Sequence, residues 1–119
     1  MEKMMYTIYG IKNCSTMKKA FTLLDELGIP YTFHDYKKSG IDANTLQQWV
    51  DTLGLDTVMN RKGTTWRGLS EAEQAEANTV AGALQLMQHK TSAIKRPILS
   101  DGKGQLVCGF NEEEYRQLA

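Results

Sequence analysis

MMYTIYGIKNCSTMKKAFTLLDELGIPYTFHDY (Met4–Tyr36) sets two β-favouring apolar runs around a stretch of helical periodicity. "MMYTIY" (Met4–Tyr9) reads as a short buried strand, and Gly10 to Asn13 as a turn. From Thr16 to Leu27 the apolar residues are Met17, Ala20, Phe21, Leu23, Leu24 and Leu27. Spacings of three and four gather them on one face, which predicts an amphipathic helix. Ser15 or Thr16 is placed to cap its start, and Gly28 to stop it. "IPYTFHDY" (Ile29–Tyr36) is rich in β-branched and aromatic residues and reads as a second strand. Strand, helix and strand with short links form a βαβ unit, so the strands are expected to be parallel with a right-handed crossover.

Downstream, "KKSGIDAN" reads as a loop whose Asp42 or Asn44 caps a helix through Leu46, Trp49, Val50 and Leu53, ended by Gly54. "LDTVMN" reads as a further helical turn. "RKGTTWRG" (Arg61–Gly68) reads as a polar loop with three basic residues. Ser70 and Glu73 have the spacing of a capping box. Another helix is expected over Thr79–Gln88, through Val80, Ala83, Leu84 and Met87. A third strand near Pro97–Ser100, a turn at "DGKG" and a fourth strand in "QLVCGF" follow. "NEEEYRQLA" opens with a capping residue and an acidic turn, which predicts a C-terminal helix. The order is β-α-β, a helical block over approximately 42–90, then β-β-α: an α/β domain spanning 1–119. Tyr9 and Trp49 are expected in the core.

The bulk properties narrow the functional classes. The 119 residues are 41% hydrophobic and 24% charged, with a formal net charge of +0. That composition suits one soluble globular domain and gives no global signal for nucleic acid or an anionic membrane. No apolar stretch nears the roughly 18 residues of a membrane span, and the N-terminus lacks a signal peptide's apolar core. Two cysteines, Cys14 and Cys108, are too few for a disulfide-stapled scaffold, so the cytoplasm is the expected compartment. His34 and His89 lie far from both in sequence, and no zinc spacing exists. No tightly bound cofactor is expected.

Cys14 carries the candidate chemistry. A thiolate is the nucleophile, and an ordinary thiol is mostly protonated at neutral pH. Cys14 stands where strand gives way to helix, so the first-turn N–H groups and the positive helix end would favour its charged form. Lys12, Lys18 and Lys19 add positive potential, and no acidic residue lies between Lys3 and Leu24. The competing reading is a small packing residue. Position 17, where a Cys-x-x-Cys motif needs its second thiol, is Met17. A cysteine phosphatase loop needs an arginine at position 20, which is Ala20. His34 and His89 have no motif supporting a cysteine–histidine protease. Cys108 reads as a structural strand residue, with a resolving thiol as the alternative. Lys12, Asn13 and Ser15 flank Cys14 and are expected to meet substrate.

"YGIKNCSTMKKA", "GTTWR" (Gly63–Arg67), "IKRPIL" (Ile94–Leu99) and the "GF" of Gly109–Phe110 together resemble the ArsC-related family, and within it the YffB-type proteins. The resemblance spans essentially the whole chain. It implies a thioredoxin-like fold, βαβ plus ββα, with an inserted helical block. The family includes arsenate reductases using glutathione and glutaredoxin, in which a cysteine attacks arsenate and arginines hold the oxyanion. Cys14 matches that nucleophile and Arg96 one arginine. Arg61 falls near a second, with Lys62 and Arg67 as neighbouring candidates. The third arginine would follow the strand cysteine, where Gly109 stands, and each lost charge-assisted contact is worth about 1.5–3 kcal/mol. The resemblance therefore implies a glutathione-dependent thiol reductase, as YffB-type proteins are thought to be, ahead of an arsenate reductase. Spx-type regulators, which bind RNA polymerase, share the fold but commonly use a Cys-x-x-Cys switch. In thioredoxin-like folds a cis-proline loop faces the cysteine. A cis Pro97 would set Arg96 beside Cys14, to stabilise its thiolate or a glutathione carboxylate. The competing reading of Arg96 is a solvated residue at a strand start.

Overall fold

Four short strands form a mixed sheet in the order β2-β1-β3-β4 in the computed structural model, which describes residues 6–118. The strands are β1 (Tyr6–Gly10), β2 (Tyr31–Asp35), β3 (Ile98–Ser100) and β4 (Leu106–Cys108). β1 pairs parallel to β2 and antiparallel to β3, and β3 pairs antiparallel to β4. Helix α1 (Ser15–Glu26) links β1 to β2, and α8 (Glu112–Gln117) follows β4. This is the thioredoxin-like arrangement. Met4 and Met5, assigned to the first strand from sequence, lie outside the described residues. Gly10, read as turn, is the last residue of β1.

The chain divides into two compact units, Met1–Tyr36 with Arg96–Ala119, and Lys37–Lys95. In the first, strand alternation sorts the side chains by face. Ile8, Leu99 and Val107 are register partners. They share a core with Met17, Ala20, Leu23 and Leu24 of α1 and Tyr115 of α8. Each fully buried aliphatic side chain contributes about 1.5–3 kcal/mol. The intervening residues Tyr9, Ile98 and Cys108 point to the opposite face by the same register. There Tyr9 lies 4.9 Å from the His34 ring and 6.4 Å from that of Tyr36. Tyr9 is half-buried rather than a full core residue, because it sits at the strand end, beside the turn.

The second unit contains α3 (Ala43–Leu53), α4 (Leu55–Val58), α5 (Thr64–Arg67), α6 (Glu71–Glu76), α7 (Val80–His89) and a 3-10 turn (Thr91–Ala93). Asp42 caps α3 through the N–H of Thr45, and Gly54 terminates it. The capping box of Ser70 and Glu73 is formed. Two segments expected as loops are partly helical: α2 (Tyr36–Ser39) directly after β2, and α5 within "RKGTTWRG". These single turns are too short for periodicity to report, since one turn presents no repeating face. The chain closes this unit with a bridge between Met59 and Ile94, flanked by bonds from Asn60 N to Ala93 O and Lys95 N to Val58 O, both 2.7 Å. Trp49 is buried, as expected.

One contact sets the start of α1. Met17 is fully buried, and its side chain lies directly over Gly10. A Cβ at position 10 would overlap Met17 Sδ and Cε. Gly10→Ala therefore forces the thioether aside and is expected to destabilise the protein by about 1–3 kcal/mol. Denaturant unfolding of the two proteins measures this.

Candidate functional site

The turn between β1 and α1 places Cys14 at the N-terminus of α1. Asn13 adopts φ 66°, a left-handed conformation that asparagine tolerates better than most residues. The next residue, Cys14, is extended at φ −108° and ψ 131°, and it is the N-cap of α1. This corrects the sequence assignment of the cap to Ser15 or Thr16, which are in the helix's first turn. The Cys14 carbonyl accepts the first helical bond from Lys18 N at 3.0 Å. Its thiol makes no capping hydrogen bond. The first-turn N–H groups are thus left to a charged sulfur.

The Cys14 thiol is shifted below its ordinary value. Partial burial is the largest single influence and pushes it up. The N–H groups of Met17 and Thr16, a hydrogen bond from the Arg96 side chain and the Arg96 charge together outweigh it. Cys14 is half-exposed, so the thiolate is reachable. Arg96 precedes Pro97 across a cis peptide bond at the start of β3. Its charge also acts on Tyr36, whose phenol is pushed well up by burial and, less, by Cys108 and Tyr9, against the lowering effect of Arg96.

Of the residues singled out from sequence, Lys12, Asn13, Cys14, Ser15, Arg96 and Pro97 fall in the first unit. Lys12, Asn13 and Ser15 are exposed at the turn, and Pro97 is buried. Arg61 and Arg67 belong to the second unit and are engaged there. Arg61 pairs with Asp56 at 3.2 Å and lies 5.2 Å over the Trp66 ring. Arg67 donates to the Lys62 carbonyl at 2.6 Å.

Cys108 and Gly109 acquire definite roles in the sheet. Neither cysteine forms a disulfide. β4 is an edge strand, and Cys108 points to the face opposite α1. That placement favours the reading of Cys108 as a structural strand residue over the alternative of a resolving thiol. Gly109 has φ +77°, and its N–H donates to Pro97 O at 2.8 Å. A side chain here is strained whatever the space around it. The missing third arginine is thus tied to the backbone conformation that closes β4 against the proline loop. Sequence reasoning overlooked that conformation, although it did expect first-turn amides, here those of Thr16 and Met17, to favour the charged sulfur. The glycine directly after a strand was the available signal.

Residues 9–118 match the ArsC family. The chain belongs to the ArsC family. An uncharacterized protein of Haemophilus influenzae is 42% identical over 113 residues, covering 94% of this chain and 96% of the relative. The global transcriptional regulator Spx of Streptococcus pneumoniae is 26% identical, covering 94% and 84% respectively. Among solved structures, a protein named YFFB is 47% identical with a TM-score of 0.88, over 94% of this chain and 96% of that one. An arsenate reductase (ArsC) related protein from Brucella melitensis is 46% identical with a TM-score of 0.74, over 98% and 95%. The match to the ArsC family begins at Tyr9 and takes in Cys14, Arg96, Pro97 and Gly109. Among the described residues no helix is long and apolar enough to cross a membrane, and no cluster of three or more His, Cys, Asp or Glu is arranged for a metal ion.

If Arg96 stabilises the thiolate, removing its charge raises the Cys14 pKa. Arg96→Gln is expected to slow alkylation of Cys14 by iodoacetamide about tenfold at pH 7, the scale of one charge-assisted hydrogen bond. The two rates converge at high pH, where both proteins carry the thiolate. Rate against pH for each protein, read by mass spectrometry of the Cys14 peptide, checks it.

Proposed function

We propose that this ArsC-family chain is a glutathione-dependent monothiol reductase with Cys14 as its nucleophile. The observation that supports it is the uncapped Cys14 thiol at the start of α1, faced by the N–H groups of Thr16 and Met17 and by Arg96. In the first step the Cys14 thiolate attacks the glutathionyl sulfur of a glutathionylated thiol. A bond forms between Cys14 and glutathione, and the substrate leaves as its thiolate. In the second, the thiolate of another glutathione attacks that glutathionyl sulfur. Glutathione disulfide leaves and the Cys14 thiolate is restored. Glutathione is thus co-substrate and reductant, and no bound cofactor takes part. Arg96 stabilises the thiolate in both its attacking and leaving roles, and Lys12, Asn13, Ser15 and Pro97 border the incoming disulfide.

An outside thiol is needed because Met17 replaces a resolving cysteine and Cys108 faces away from α1. Cys14→Ser is expected to lower turnover of a glutathionylated peptide at least about 100-fold, since the oxygen nucleophile is not ionised at neutral pH. Cys108→Ser is expected to stay within about twofold of the parent. A coupled glutathione-disulfide assay reads both. Full activity in Cys14→Ser would sink the assignment.

Two other readings rest on specific relatives. Similarity to an arsenate reductase related protein raises arsenate reduction with glutaredoxin as partner. The positive φ of Gly109 opposes it, because the third anion-binding arginine has no unstrained place there. Arsenate-dependent oxidation of glutathione by the purified chain would favour it. Similarity to the regulator Spx raises regulatory binding to RNA polymerase, without direct contact to nucleic acid. Capture of the polymerase from extract, with no thiol transfer, would favour that.

A further inference from the structure

A groove of about 530 Å³ runs beside α1, outside the turn that carries Cys14. Its walls are Lys18, Lys19, Thr22, Leu23 and Glu26 of α1, with Phe110 and Glu112 at the start of α8. Leu23, buried, and Phe110, half-buried, supply its apolar floor. Its lip is charged asymmetrically. Lys18 and Lys19 are exposed, one helical turn from Cys14, and enter no ion pair among the described residues. Glu26, the last residue of α1, is exposed and likewise unpaired. Glu112 is neutralised by Arg116 at 2.7 Å. The groove is therefore positive next to the thiol and negative at its far end. At 1.5 Å per residue, Glu26 lies about 12 Å from Lys18 along the axis and about 18 Å from Cys14.

We propose that this groove seats an extended segment of a protein substrate, next to that substrate's reactive cysteine. The inference rests on the thiol-transfer reading of Cys14 and deepens it by naming the substrate class. Charge complementarity asks for a carboxylate near the two lysines and a cation near Glu26. An extended chain advances about 3.3–3.6 Å per residue. The matching segment thus carries Asp or Glu about two residues from its cysteine and Lys or Arg about five residues away on the same side. An apolar residue between them meets Leu23 and Phe110. Glutathione cannot make this span. Its sulfur is on the central residue, so neither its γ-glutamyl arm nor its single-glycine arm reaches the roughly five extended residues that separate Cys14 from Glu26. During thiol transfer the segment belongs to the leaving thiolate, so the groove selects which protein is reduced.

Fluorescently labelled peptides with serine in place of cysteine test the groove without any chemistry. One carries the acidic-then-basic pattern, and a second has the two charges exchanged, each made in both chain directions. Anisotropy is expected to show the matched pattern binding about three- to fivefold more tightly, the range of exposed ion pairs. Glu26→Lys is expected to remove or invert that preference, and raised salt to weaken it. Equal binding of the two patterns, or an unaltered preference in Glu26→Lys, overturns the proposal. So does full competition by millimolar glutathione, which would make glutathione the occupant. Separately, glutathione disulfide is expected to form the Cys14 adduct at equal rates in the parent and in Glu26→Lys. Failure of that adduct in both overturns the thiol-transfer reading, while the peptide preference still decides the groove.

Discussion

Met17 resting on Gly10 is the constraint from which the rest of this site follows. The absence of a side chain at the end of β1 lets the first turn of α1 come down onto the strand. Met17 fills that space with no surface left exposed. With the helix seated there, Asn13 must turn the chain through a left-handed conformation, and Cys14 becomes the extended residue before the helix. The same side chain explains why the motif holds one thiol. Position 17 is a core position, occupied by a flexible apolar residue suited to filling an irregular gap.

From that seat the electrostatics are a competition with a definite sign. Burial opposes the thiolate, and the amides of Met17 and Thr16 with Arg96 overcome it. The lysines that stood out in the sequence are not among these influences. Exposed ammonium groups are well screened, whereas fixed backbone dipoles and a guanidinium at hydrogen-bonding distance are not. Lys18 and Lys19 instead line the groove beside α1, where their charge bears on what docks rather than on the thiol's ionisation.

Much of the fold was legible because periodicity and punctuation agree in this sequence. The spacing from Met17 to Leu27, the stop at Gly28 and the β-branched run after it define the βαβ unit to within two residues. Ser70 with Glu73, and Asn111 before three glutamates, announced their helix starts through capping chemistry. The single turns α2 and α5 escaped because one helical turn has no pattern to repeat. In the site, Cys14 was visible as a residue type at a junction. Its role as N-cap was not, because cysteine is not among the residues that ordinarily cap helices. Arg96 drew notice only through its place before Pro97 in a familiar motif. The conformation of Gly109 and the face presented by Cys108 depend on strand register, which requires long-range pairing that no local window contains.

The central claim is that the surroundings of Cys14 stabilise its thiolate and hold its pKa below that of an ordinary thiol. Ultraviolet absorbance at about 240 nm follows the thiolate as pH is raised, with Cys14→Ser as the blank. The account predicts a midpoint below that of an ordinary thiol, moving upward when Arg96 is replaced by glutamine. A midpoint at or above about 8.5, the value for a free cysteine, and unmoved by that replacement, would contradict it.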